Sequence, residues 1–354
     1  MELIKKLQSG ERLDYEDGVR LYELDLFTLA DFAHARRQKL YGNKTYFNIN
    51  RHINPTNICK DVCKFCAFSA NRKNPNPYVM SHEEVLQIVE DASRRGVKEV
   101  HIVSAHNDRV GLDWYLDMFH KIKDRFPSIH IKALTAAEVN FLAKEHGLSF
   151  EQMIDRMIQS GVDSMPGGGA EIFDEEVRDY ICKGKVSSDE WLQIHRLWHQ
   201  KGRKSNATML FGHVESRGHR IDHMLRLRDL QDETGGFNCF IPLVYQKENN
   251  YLKVQNFVTG QEYLKTIAIA RLILDNIPHI KAYWASSTLN LALVAQEFGA
   301  DDLDGTIERE AIQSAAGAAS KYGVGLDEFV HLIKESGFVP VERDSLYNEL
   351  RVLA

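Results

Sequence analysis

The sequence has little proline, 8 residues in 354, and no biased segment that would mark a linker or a low-complexity chain. It has no run of 18 or more apolar residues, so no membrane-spanning helix is expected. Its first residues, Met1 to Leu7, lack the extended apolar core of an export signal, which predicts a soluble chain kept in the cytoplasm. It also lacks a basic block. Lys and Arg total 44 against 50 Asp and Glu, for a net charge of -6, and nucleic acid is therefore not an expected partner. Cysteine is scarce and odd in number: there are 5, and Cys59, Cys63 and Cys66 fall close together. That count suits thiolate ligands in a reducing compartment better than a disulfide framework.

What is present is ordinary globular composition, 44% hydrophobic and 27% charged, at a length that fits one α/β barrel of about 250 residues with additions at its ends. Residues 1–44 read as a helical cap, with Leu21, Leu24, Leu29, Phe32 and Ala33 at helical spacing and Gly42 as a stop. Residues 45–337 read as the barrel and 338–354 as a C-terminal tail after a last helical segment. Short β-rich runs alternate with amphipathic helices, the pattern of parallel strands with helical crossovers. The strand candidates are Tyr46–Ile53, Glu99–Ser104, Ile129–Leu134, Val162–Met165, Ser205–Leu210, Phe237–Pro242, His279–Trp284 and Asp301–Asp304. Helices are expected at His82–Arg95, Asp113–Arg125, Asp189–Gln200 and Gln261–Leu274. A doubly wound open sheet competes with a (β/α)8 barrel. The barrel is preferred because unusual residues gather just after successive strands, where the loops of a barrel converge on one site.

The first of those loops holds Cys59, Cys63 and Cys66 in the spacing C-x3-C-x2-C. Three thiolates on a 4Fe-4S cubane leave one iron without a protein ligand, and that vacancy lets an outside molecule bind the metal. Structural zinc is the alternative; it needs a fourth ligand, and His52, Cys182 and Cys239 do not stand at a usual spacing. A redox pair of Cys63 and Cys66 would leave Cys59 unexplained.

This spacing, with the aromatic Phe65 just before the last cysteine, resembles the signature of the radical S-adenosylmethionine superfamily. The segments Asn48–Asn57, Pro166–Phe173, Ala207–Glu215 and Leu230–Phe237 narrow the resemblance to the aminofutalosine synthase family of menaquinone biosynthesis. Its relatives, the dehypoxanthinyl futalosine cyclases and the deazaflavin synthases, share much of it, while Asn54–Asn57 and Ala282–Ser287 look more like the synthase. The resemblance implies a 4Fe-4S cluster, S-adenosylmethionine as co-substrate and an electron donor such as flavodoxin or ferredoxin. It also implies reductive cleavage to methionine and a 5'-deoxyadenosyl radical, which would add to the alkene of 3-((1-carboxyvinyl)oxy)benzoate. A homodimer is compatible with it.

It implies site residues as well. Phe65 would lie by the adenine, and Ser104, Gly168, Glu171 and Lys185 would contact S-adenosylmethionine. Ser104 and Ala105 stand where the family usually has a glycine pair. His52 and Asn54 are expected at the substrate. His213 and Glu215, after the fifth strand, are candidates for proton transfer or a substrate carboxylate. Trp284, Ser286 and Ser287 could recognise an aromatic acid by stacking and hydrogen bonding. The bland alternatives are a tight turn for Gly167–Gly169, a helix-start acid for Glu171, a surface lysine for Lys185 and a barrel-end filler for Trp284.

Overall fold

A computed structural model describes residues 2–254, 257–306, 311–318 and 323–353. Its strands, in chain order, are β1 (Lys44–Asn48), β2 (Asn50–Ile53), β3 (Glu99–Ile102), β4 (His130–Ala133), β5 (Ser205–Phe211), β6 (Phe237–Val244), β7 (His279–Ile280), β8 (Asp302–Gly305), β9 (Val339–Arg343) and β10 (Glu349–Val352). β1 and β2 form one stave bent at Ile49, whose lower half pairs with β8 and whose upper half pairs with β3, both parallel. β3 pairs with β4, β5 with β6 and β6 with β7, again parallel. Single bridges join the rest: Lys132 to Ser164, Met165 to Ser205 and Lys281 to Asp302. With 164–165 as the fourth stave, the ring closes as the (β/α)8 barrel that the alternation predicts.

The fourth stave is shorter than the expected Val162–Met165. It makes bridges at Ser164 and Met165 alone, because at its start Val162 N–H turns back to Met157 O and the Asp163 carboxylate takes the Ile131 N–H at 2.8 Å. The crossover helices begin where the sequence places caps. Ser81, Thr135 and Ser187 each accept a hydrogen bond from the residue three on, and Glu84, Glu138 and Glu190 reciprocate.

The N-terminal cap is three helices, Glu2–Ser9, Tyr15–Leu21 and Leu26–Tyr41, because Asp14 and Asp25 cap new helices. Gly42, at φ 58°, ends the last one. Buried Arg37 ties this helix to the barrel through the carbonyls of Ala300, Gly42 and Lys44, at 2.7, 2.6 and 2.6 Å.

The C-terminal helix Leu326–Glu335 is present, and the stretch expected as a C-terminal tail holds two strands, Val339–Arg343 and Glu349–Val352. β9 runs parallel beside β1, Lys44 opposite Val339, and β10 returns antiparallel to β9. The lower edge of β1 would otherwise be unpaired, and the buried ion pair of Arg343 with Asp302 fastens the addition to β8. Among the described residues no helix is long and apolar enough to cross a membrane.

Candidate active site at the barrel mouth

The loop after β2 carries Cys59, Cys63 and Cys66 as free, partly exposed thiols on the wall of a cavity of about 290 Å³. Backbone bonds hold the loop: Lys60 N–H donates to His106 O and Lys64 N–H to Ile181 O, both at 2.8 Å. Asp61 faces His106, Oδ2 to Nδ1 2.9 Å, and His106 stacks flat on Phe141 with centroids 4.9 Å apart. Burial alone would raise the Asp61 carboxyl, but its bond with His106 holds it below the ordinary value.

The donor set fits an iron–sulfur cluster. Three thiols share one wall, and the two other cysteines, Cys182 and Cys239, are 2% and 0% exposed and do not line the cavity. Among the described residues no three His, Cys or carboxylate side chains converge on one point as a single metal ion requires. Burial pushes the Cys59 thiol up and the Cys63 thiol well up, with the Lys185 ammonium opposing at Cys63. Metal binding by these thiols must therefore release protons.

Facing the loop is the chain after the fourth stave. A side chain at Gly167 would strike Asn206 O and Thr208 N at 2.8 Å, and one at Gly168 would meet Thr135 at 2.7 Å. The backbone here lies flush against its neighbours and exposes itself to the cavity. Glu171 then adopts φ 46°, a left-handed conformation rare outside glycine. Lys185 Nζ donates to Glu171 Oε1 at 2.7 Å and lies 5.6 Å from the Phe65 ring centroid. Burial alone would raise the Glu171 carboxyl, but the ammonium holds it below its ordinary value; the Lys185 ammonium is held well above its own.

Phe65, Ser104, Gly168, Glu171, Lys185, His52 and Asn54 all line this cavity together with the three cysteines. Ser104 is more constrained than its sequence position suggests. Its N–H donates to Glu138 Oε1 at 2.8 Å and its Oγ accepts from Tyr115 Oη at 2.9 Å, so its amide is already engaged. Asn54 Nδ2 donates to Val103 O at 2.9 Å, tying β2 to the chain after β3.

Five other expected residues lie elsewhere. Glu215 accepts from the N–H groups of Gly212 and His213 at 2.6 and 2.8 Å and from Arg220 Nε at 2.8 Å. His213 Nδ1 is 3.1 Å from Glu215 Oε2, and both side chains are 0% exposed. Neither residue lines the cavity; they stabilise the turn after β5, and the proton-transfer role expected of them has no geometric support. Trp284 donates to Gly305 O at 2.8 Å and fills the barrel end instead of facing the cavity. Ser286 and Ser287 line an adjoining space of about 210 Å³ that shares Tyr245 and Gln246 with the main cavity. Their hydroxyls donate to Tyr283 O at 3.1 and 3.3 Å.

Sequence reasoning missed Asp61, His106 and a set of polar residues deeper in the lumen: Glu99, His101, Lys132, Lys281 and Asp304. Glu99 and His101 alternate on β3 where apolar side chains would fill a barrel, and that was the available signal.

A family description of the radical SAM superfamily matches residues 53–227, and one of the CofH/MqnC C-terminal region matches residues 234–353. The chain is 42% identical to the aminodeoxyfutalosine synthase of Thermus thermophilus, covering 99% of this chain and 95% of that one. It is 36% identical to the cyclic dehypoxanthine futalosine synthase of Streptomyces coelicolor, over 99% of this chain and 88% of that one. Among solved structures it is similar to methylornithine synthase, with TM-score 0.77 at 16% identity over 96% of this chain and 97% of the other. The maturase HydG of Carboxydothermus hydrogenoformans gives 0.75 at 17% identity, over 98% and 80%. Both support the barrel. With the three-cysteine loop at its mouth and relatives matched along almost its whole length, the chain belongs to the radical SAM superfamily of enzymes.

Proposed function

We propose that this enzyme is an aminodeoxyfutalosine synthase of the futalosine route to menaquinone. The observation that carries the reading is the order of similarity: 42% and 40% identity to two synthases, against 36% for a cyclase and 36% for a 4-hydroxyphenyl transferase, each over at least 98% of this chain.

Cys59, Cys63 and Cys66 would hold the 4Fe-4S cluster. When bound, that group supplies the electron that cleaves S-adenosylmethionine to methionine and the 5'-deoxyadenosyl radical. The chain's own part is positioning. Phe65 offers a ring face for the adenine, while Glu171 and Lys185 present one carboxylate and one ammonium to the amino and carboxylate ends of the methionine moiety. The exposed backbone of Gly168 admits the co-substrate closely. A primary carbon radical takes hydrogen from almost any nearby C–H, so an enclosed lumen with the acceptor already in place is most of the catalysis.

The radical carbon would bond to the alkene of 3-((1-carboxyvinyl)oxy)benzoate, followed by migration onto the ring and loss of the carboxylate. With water, the products are aminodeoxyfutalosine, methionine and bicarbonate, with no net oxidation. The reading also places the enzyme in the cytoplasm, served by a flavodoxin or ferredoxin.

The test is anaerobic turnover with adenosyl-labelled S-adenosylmethionine. Label in a larger adenine-containing product, matched by methionine, is expected. Label leaving almost wholly as 5'-deoxyadenosine while a futalosine-type substrate is cyclised would replace the synthase with the cyclase, the reading that the C-terminal family match also accommodates.

A further inference from the structure

Barrel interiors are ordinarily filled by branched apolar side chains. Below the cluster loop, this one is lined with charge. His52 of β2, His101 of β3 and Lys132 of β4 stand in register on three adjacent parallel strands and so project on one side of the sheet. Lys132 Nζ is 2.7 Å from Glu99 Oε2, the two side chains 5% and 2% exposed. On the β7–β8 side, Lys281 Nζ donates to Asp304 Oδ1 at 2.6 Å. Both pairs and both imidazoles border the cavity.

Buried ion pairs are a poor way to stabilise a core, since packed apolar residues of the same volume usually do as well or better. Their presence in the wall of a cavity therefore calls for a ligand. The hydrogen bonding points the same way. An ammonium has three N–H donors, and each lysine faces one close carboxylate, Lys281 having a second, Asp302, only at 3.9 Å. The two imidazoles meet edge to face at 4.7 Å, and the Nε2 of each is buried with no hydrogen-bond partner among the described residues. The same cavity is also lined by Val103, Leu210, Ile241 and Leu243, apolar side chains suited to the face of a ring.

We propose that Lys132, Lys281, His52 and His101 form the subsite that binds a carboxylate of an aromatic acid substrate, seated ring-up in the lumen beneath the cluster loop. The proposal rests on the synthase reading for the identity of that acid. Glu99 and Asp304 hold the two ammoniums in place, and a ligand carboxylate accepts the N–H groups they leave unused. Burial holds the His101 imidazole down at about 3, so it acts as a neutral partner and the lysines supply the positive charge.

The test is calorimetric titration of the cluster-loaded enzyme, S-adenosylmethionine bound and no reductant present, with 3-(carboxymethoxy)benzoate, an aryl ether diacid that has no alkene to react. Glu99→Gln/Lys132→Gln and Lys281→Gln/Asp304→Asn remove each ion pair without leaving a lone buried charge. Each is expected to weaken binding by about tenfold or more, with iron content and S-adenosylmethionine affinity unchanged. If either double variant does not fold, His52→Asn and His101→Asn carry the test, and a weakening of about threefold or more in each is expected. Wild-type affinity in all variants that fold overturns the assignment. So does a wild-type enzyme that binds S-adenosylmethionine but not the diacid. Because the synthase reading is decided by where the adenosyl label goes, loss of this subsite with label transfer intact would leave that reading standing.

Discussion

Glu171 and Glu215 follow successive staves of the same barrel, and by position alone both belong to the mouth of the active site. Their surroundings separate them. Glu215 has its oxygens taken by two backbone N–H groups and by Arg220, and none of its side chain is exposed. Glu171 has Lys185 as its one ion-pair partner among the described residues, sits on strained backbone and faces the cavity. Position after a strand nominates a residue; the hydrogen-bonding capacity left over decides whether it serves the wall or the ligand. The same division runs through the cysteines, with three on the cavity and two in the core.

The largest effect expected from that division is all or none. Cys59→Ser, Cys63→Ser and Cys66→Ser should each abolish cluster retention and turnover, while Cys182→Ser and Cys239→Ser keep both. Iron and sulfide content after anaerobic reconstitution, with absorbance near 400 nm, reads this out. A requirement for Cys182 alongside a dispensable member of the trio would break the assignment, and bound zinc in place of iron and sulfide would restore the structural-metal alternative.

Next comes Glu215→Gln, which leaves a buried guanidinium with one of its two carboxylates, Glu262, at 2.7 Å. A stability loss of about 3 kcal/mol is expected, near the low end for breaking a buried pair because Glu262 remains. Denaturant unfolding measures it, and S-adenosylmethionine affinity should not change. Glu171→Gln should do the reverse. Iron content stays, and S-adenosylmethionine binding weakens by about 1–3 kcal/mol in anaerobic titration, the range for losing a charge-assisted hydrogen bond. If Glu215→Gln impaired binding and Glu171→Gln did not, the comparison would be inverted.

The barrel and the cluster loop were legible because their signals are local: strand and helix periods, caps and a cysteine spacing. The lumen layer was not, because Lys132, Lys281 and Asp304 come from distant segments and become neighbours when the ring closes. Glu215 misled for a related reason. Its partner Arg220 lies five residues on, within the next helix, and nothing in the sequence says that the two meet. The strand β9 escaped notice because its partner, β1, lies at the other end of the chain, and β10 depends on β9.

The smallest expected effect concerns a histidine of the wall, His223, and it has a definite sign. Its ring stacks on Phe173 with centroids 3.9 Å apart, and its Nε2 donates to Thr208 O at 2.9 Å. Burial holds the imidazole down at about 3, with the bond to Thr208 opposing, and the nearby Arg178 and Arg226 lower it further. In the unfolded chain the same ring titrates near its ordinary value of 6.5. Below that pH the unfolded state takes up a proton that the native state refuses, so stability falls as the solution is acidified. From pH 8 to pH 5.5 this single group should remove about 1.4 kcal/mol. His223→Gln keeps an N–H donor for Thr208 O and cannot titrate. Its unfolding free energy should therefore fall less steeply over that interval, and S-adenosylmethionine affinity at pH 8 should match the parent. Identical slopes for parent and variant would show that His223 does not stay neutral in the folded wall, and a changed affinity would move it from the wall to the site.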